Sequence, residues 1–175
     1  QCSLREAVTA ASTHQPYGGC PKGDKHASNV KTIQLEAGTY VLKRELTPNS
    51  PLYIVGKEPA DYSKPNAINN DYPAKTKLKT TISGQGAARL FNTINLEKPS
   101  LTLENIVLAD GYSADAGGAL LLGGNTELIN VIIQNSKADK GGAIFLNDIN
   151  SNLTITGSVL KDNKANTGSV LAMTV

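Results

Sequence analysis

The sequence predicts an all-β architecture: a right-handed single-stranded parallel β-helix, or β-solenoid, with a short α-helical cap at its N-terminal end. Three observations carry this. The last third of the chain repeats with a period of about 25 residues. Each unit holds short alternating apolar runs broken by Gly, Asn or Asp. A helical pattern occurs in the first residues, where a stack of coils needs a lid over its core and strand edges.

The lid comes first. Ser3 and Glu6 in CSLREAV form a capping box, in which the serine hydroxyl and the glutamate carboxylate satisfy amides that a helix start leaves free. Leu4, Ala7, Val8 and Ala11 share one face at helical spacing, so residues 1–13 form the capping helix, ending near Ser12. Residues 14–29 are turn formers and make a loop that returns Cys20 to Cys2. From Val30 the period changes to two. Ile33 and Leu35 share a side, Gly38 breaks the run, and Tyr40 and Leu42 resume it. The same strand grammar recurs in LYIVG (52–56), TTISGQG (80–86) and RLFNTINL (89–96).

The repeat is clearest from Leu101 onward, where LTLENIVLADGYSADAGGALLL aligns with TELINVIIQNSKADKGGAIFL and with LTITGSVLKDNKANTGSVLAM. Leu103, Leu128 and Ile155 correspond, as do Ile106, Val131 and Ser158, then Leu108, Ile133 and Leu160. Asp110, Asn135 and Asp162 form a corner ladder; Gly117-Gly118, Gly141-Gly142 and Gly168-Ser169 form another corner. One coil alone cannot bury its inward side chains. Coils stacked about 4.8 Å apart hydrogen-bond through parallel strands and bury an aliphatic column. Asx residues tolerate left-handed angles at a corner, and Gly adopts positive φ at no steric cost. The glycine pairs are therefore geometry, since no GxxxxGK[ST] phosphate loop occurs. Right-handedness follows from the crossover rule for parallel strands.

Length and charge narrow the function classes. With 175 residues the chain is read as one domain, residues 1–175, with coils over 30–175 and a long loop insertion at 57–79. Seventeen basic and fifteen acidic residues leave a net charge of +2 without a basic stripe, so no nucleic-acid partner is expected. No apolar run is long enough to span a membrane, and no signal peptide opens the chain, which reads as processed or cut from a longer protein. TGSVLAMTV ends in strand character without a polar cap, which reads as truncation of a longer β-helix or as an end that docks another copy. Cys2 and Cys20 fit no zinc spacing, and His14 and His26 stand apart in the loop. A disulfide closing that loop contributes about 3 kcal/mol and points to an oxidising compartment; two unpaired thiols are the alternative.

CSLREAV, TIQLEAGTYVL, TTISGQGAARLF, LTLENIVLADGYSADAGGALL and NVIIQNSKADKGGAIF together resemble the CSLREA-type proteins. These are bacterial secreted or surface right-handed parallel β-helices, similar in their coils to polymorphic outer-membrane proteins and adhesins. The resemblance implies export, a pectate-lyase-like fold and a longer parent protein with its own anchor. Two departures matter. A cysteine upstream of the motif, frequent in the family, is absent, which leaves Cys20 as the internal partner of Cys2; and the insertion at 57–79 is no part of the usual coil.

That insertion is the candidate binding element, since loops leaving a rigid scaffold carry function. Tyr62 and Tyr72, with Tyr53 just before them, are placed to stack on sugar rings, and Lys57, Lys64, Lys75 and Lys77 to meet acidic groups. The plainer reading is a solvated excursion with its tyrosines packed on the coil flank. Catalysis in this fold needs clustered carboxylates, often with calcium or a catalytic Arg or Lys. Asp110, Asp162, Asp115 and Asp139 are calcium ligands in principle, yet corner Asx residues more often satisfy backbone, and Arg5, Arg44 and Arg89 lie outside the repeats. No cofactor is expected. The expected function is a non-catalytic, secreted or cell-surface stalk or adhesin-like module whose partners are surface glycans or another copy of the chain. The alternative is a polysaccharide lyase or hydrolase acting on a lateral face.

Overall fold

The computed structural model of the chain describes residues 1–22, 30–60, 62 and 77–174. One helix, α1 (Leu4–Thr13), precedes a series of short strands. The first are β1 (Lys31–Gln34), β2 (Gly38–Val41), β3 (Leu52–Val55), β4 (Thr80–Ser83) and β5 (Phe91–Asn92). Then come β6 (Leu101–Glu104), β7 (Val107–Ala109), β8 (Leu120–Leu122), β9 (Thr126–Ile129), β10 (Ile132–Gln134) and β11 (Ile144–Leu146). The last are β12 (Leu153–Thr156), β13 (Val159–Lys161) and β14 (Leu171–Met173). They form three open, parallel sheets, ordered β1-β3-β6-β9-β12, β2-β4-β7-β10-β13 and β5-β8-β11-β14. The chain visits the sheets in turn and returns to the first one strand further along; in the first pass the third sheet is met by the Leu46–Phe91 bridge.

Register makes the passes equivalent. Ile33, Ile54, Leu103, Leu128 and Ile155 stack along the first sheet. Tyr40, Ile82, Leu108, Ile133 and Leu160 stack along the second, and Phe91, Leu120, Ile144 and Leu171 along the third. Side chains alternate across a strand, so each row faces one way, and these rows build a single aliphatic cluster between the sheets. Partners in the third and fourth passes stand 25 residues apart in the first two sheets and 24 in the third, and those in the fourth and fifth stand 27 apart, so the connections vary while the strands hold register. In the fifth pass Ile155 and Leu171 occupy the same rows and Met173 stacks on Leu146, but they are 42%, 42% and 52% exposed, because among the described residues nothing packs beyond them.

The corners explain the Asx and Gly pattern. Asp110, Asn135 and Asp162 have φ of 55°, 56° and 56°. A second corner, between the first two sheets, places Asn105, Asn130 and Gly157 at 59°, 49° and 56°. At this second corner Asn130 Nδ2 donates to Asn105 Oδ1 at 2.8 Å in the buried interior. Within the glycine pairs the two residues answer different demands. Gly117, Gly141 and Gly168 take φ of 64°, 61° and 61°. Gly118 and Gly142 are overlaid by the next pass, and a Cβ on either would collide with the carbonyl oxygen of Gly142 or Ser169 respectively. Ser169 has no described pass beyond it and keeps its side chain.

The helix covers the first pass. The capping box is present, with Ser3 N donating to Glu6 Oε2 at 2.8 Å and Glu6 N to Ser3 Oγ at 3.3 Å. Leu4, Val8 and Ala11 enter the core beside Leu35, Leu42 and Leu46. Ser12 Oγ accepts from Asn49 N at 3.1 Å, and Ser50 Oγ donates to the Ala11 carbonyl at 3.3 Å. Cys2 and Cys20 are at disulfide distance, their Cα atoms 4.8 Å apart. RLFNTINL departs from expectation, since β5 stops at Asn92. Asn92 Oδ1 accepts from Ile94 N, and Asn95 Oδ1 from the amides of Glu97 and Lys98, which turns the backbone away from the ladder and leaves Leu96 fully exposed.

These rows set a stability contrast. Leu103→Ala, at a fully buried position, costs about 2–5 kcal/mol in urea unfolding, whereas Leu96→Ala stays within about 0.5 kcal/mol. Equal effects at the two sites would contradict the inward assignment of the rows.

Candidate functional site

Tyr53 lies on the outer face of the first sheet, because its neighbours Leu52 and Ile54 are the inward, buried pair of β3. Val55 of the same strand is in register with Glu104 of β6. Glu104 therefore shares the outer face with Tyr53, yet it is 4% exposed. Tyr53 Oη donates to Glu104 Oε2 and Tyr62 Oη donates to Glu104 Oε1. Tyr62 comes from the insertion, and its amide donates to the Pro59 carbonyl at 3.1 Å. Two residues marked as binding candidates in the sequence thus converge on one buried carboxylate.

Electrostatics lock this group. Burial first, then the hydrogen bond to Glu104 and its negative charge, push both phenols well above the ordinary tyrosine range. Glu127 and Glu58 act on Tyr53 in the same sense, and Tyr53 and Glu58 on Tyr62. The phenols stay neutral at physiological pH with their protons held by Glu104. Their ring surfaces and oxygen lone pairs are what they can offer a ligand, and the hydrogen bond from Tyr62 holds that residue to the sheet. At the rim Lys57 Nζ pairs with Glu36 at 3.1 Å, and Lys57 N donates to Thr80 Oγ1 at 2.8 Å. Tyr72, Lys64 and Lys75, and likewise His26, lie outside the described residues.

Glu104 was missed in the sequence, although a signal existed. It occupies the slot held by Gln34, Val55, Ile129 and Thr156 in the other passes, so it is a charge in an otherwise uncharged row. The corner residues are engaged locally. Asp110 Oδ2 accepts from Ser83 Oγ at 3.1 Å, Asp139 Oδ1 from Asn166 Nδ2 at 2.8 Å, and Asp139 N donates to the Asp115 carbonyl at 2.9 Å. Among the described residues no group of three or more His, Cys, Asp or Glu is placed to hold a metal. Arg89 is a fastening across passes. It pairs with Glu45 below and donates to Ser113 Oγ at 2.8 Å and the Gly117 carbonyl at 2.9 Å above.

A raised phenol pKa stabilises the fold fully below the unfolded value of about 10, and that contribution is lost as pH climbs toward the folded value. Spectrophotometric titration should find Tyr53 and Tyr62 ionising above the ordinary tyrosine range. Tyr53→Phe/Tyr62→Phe should remove that late phase and flatten the alkaline limb of the stability profile; an unchanged titration would dismiss the shared carboxylate.

Comparison with protein-family models, with curated proteins and with solved structures finds no match to this chain.

Proposed function

We propose that the chain is a right-handed parallel β-helix of the CSLREA type, exported to an oxidising compartment and acting there as a non-catalytic surface module, a rigid stalk with adhesin-like lateral faces. The observation that carries this reading is the in-register return of the chain to the same three sheets. Such stacking makes a stiff rod whose sides are sheet faces, on which side groups and inserted loops keep fixed positions. The Cys2–Cys20 pair agrees with an oxidising environment. The neutral, carboxylate-held phenols agree with binding rather than proton transfer, since neither can supply a base near neutral pH.

One observation favours the second reading, a carbohydrate-active lateral face: Glu104 is a buried carboxylate beneath two aromatic rings on an outer sheet face. A panel of polysaccharides assayed for binding and for cleavage, with and without calcium, separates the two. The surface-module reading expects retention without turnover. Turnover lost in Glu104→Gln would replace it with the enzymatic one. Reduction of the Cys2–Cys20 bridge should lower stability by about 3 kcal/mol in denaturant unfolding. No loss on reduction would remove the redox support for export.

A further inference from the structure

We infer that the cleft between the start of α1 and the end of β2 binds an anionic sugar, a carboxylated or sulfated pyranose of an acidic polysaccharide. The inference deepens the surface-module reading, on which the choice of a polysaccharide rests. The cleft has a volume of about 650 Å³ and is lined by Arg5, Tyr40, Lys43 and Arg44, with Ser3 and Leu4 at its helical wall.

Its charge is unbalanced. Arg5 is half-buried, and its guanidinium donates to the Glu45 carbonyl at 3.1 Å and to the Arg44 carbonyl, contacts that fix the group without neutralising it. Burial, and after it the charge of Arg44, lower the Arg5 pKa, which places a second guanidinium within electrostatic reach. The nearby carboxylates are engaged elsewhere. Glu6 closes the capping box, Glu36 pairs with Lys57, and Glu45 binds Arg89 and Asn92. Among the described residues, Arg5, Lys43 and Arg44 have no ion-pair partner. Arg5 and Arg44 act on each other at this cleft, whose lining also includes Lys43, and an anion seated there relieves their repulsion while using guanidinium donors suited to carboxylate and sulfate.

Tyr40 gives the second half of the recognition. It lines the cleft while packing half-buried against the core, with its hydroxyl donating to the Glu36 carbonyl at 3.3 Å, and the part of its side chain left uncovered is a fixed apolar surface for a sugar. A nucleic acid would need a basic track matching successive phosphates, and this cluster is compact.

The test is calorimetric titration at low salt with polygalacturonate and with neutral galactan. The protein should bind the former and not the latter. Lys43→Ala/Arg44→Ala, two exposed side chains, should weaken binding about tenfold or more, while Lys161→Ala/Lys164→Ala on the fifth pass leaves it unchanged. Independently of folding of any variant, the Arg5 and Arg44 Nε–Hε resonances of the unaltered protein should shift on adding digalacturonate. Absence of binding, equal binding of galactan, equal loss in both variants, or unmoved arginine resonances would each overturn the site. Binding that survives Lys43→Ala/Arg44→Ala but is lost in Tyr53→Phe/Tyr62→Phe would overturn the cleft and leave the surface-module reading standing.

Discussion

Each strand among the described residues is two to four residues long and makes few hydrogen bonds, so none is stable alone. What holds them is the coincidence of rows: the parallel register that puts Ile54 over Leu103 over Leu128 also puts Ile82 over Leu108 over Ile133. A slip of one residue in any pass would turn its aliphatic side chains outward and its polar ones into the core. The corners prevent such a slip. Residues with φ near +55° recur at the same phase, so each strand begins at a fixed distance from the last turn. The Asn105–Asn130 ladder adds a polar contact that is satisfied in one register only. Length differences are absorbed in the connections, as the 25- and 27-residue separations require.

Among the described residues no strand pass precedes the first, and the helix covers that side of the core. Leu4, Val8 and Ala11 complete the core, and polar contacts from Arg5, Ser12 and Ser50 fix the helix across one segment, residues 44–50. Arg89 acts similarly further along. Its guanidinium is shared among Glu45, Ser113 and the 116–117 carbonyls, so three consecutive passes are tied by one side chain. Both arginines face backbone carbonyls, which favours a planar fork over an ammonium.

The fold was legible where the physics is periodic. Leu103, Leu128 and Ile155 could be matched from the sequence because stacking repeats the same demand at the same phase, and the Ser3–Glu6 box is a local signal. Legibility failed where side chains compete with backbone, as at Asn92 and Asn95, whose amide oxygens end β5 early. The corner ladder was read at Asp110, Asn135 and Asp162, where the backbone geometry is found, whereas the amide-to-amide bond is at Asn105 and Asn130. Sequence spacing reveals that a corner exists but not which side chain points along the stack. For the site, Tyr53 and Tyr62 were visible as aromatics near the insertion. Their meeting on Glu104 was not, since it depends on a contact 51 residues distant in one case and 42 in the other.

Glu104 also shows how the insertion and the scaffold depend on each other. A carboxylate buried on a sheet face without donors would be strongly unfavourable, and a nonpolar residue fills the equivalent place at Val55 and Ile129. Tyr53 offers one hydroxyl from the scaffold, and the other comes from Tyr62 of the insertion. Tyr62 adds a donor to the Glu104 carboxylate, so the charge at position 104 favours the docked state of its side chain. The residue that breaks the row in the third pass is thereby the one that holds the Tyr62 side chain against the first sheet.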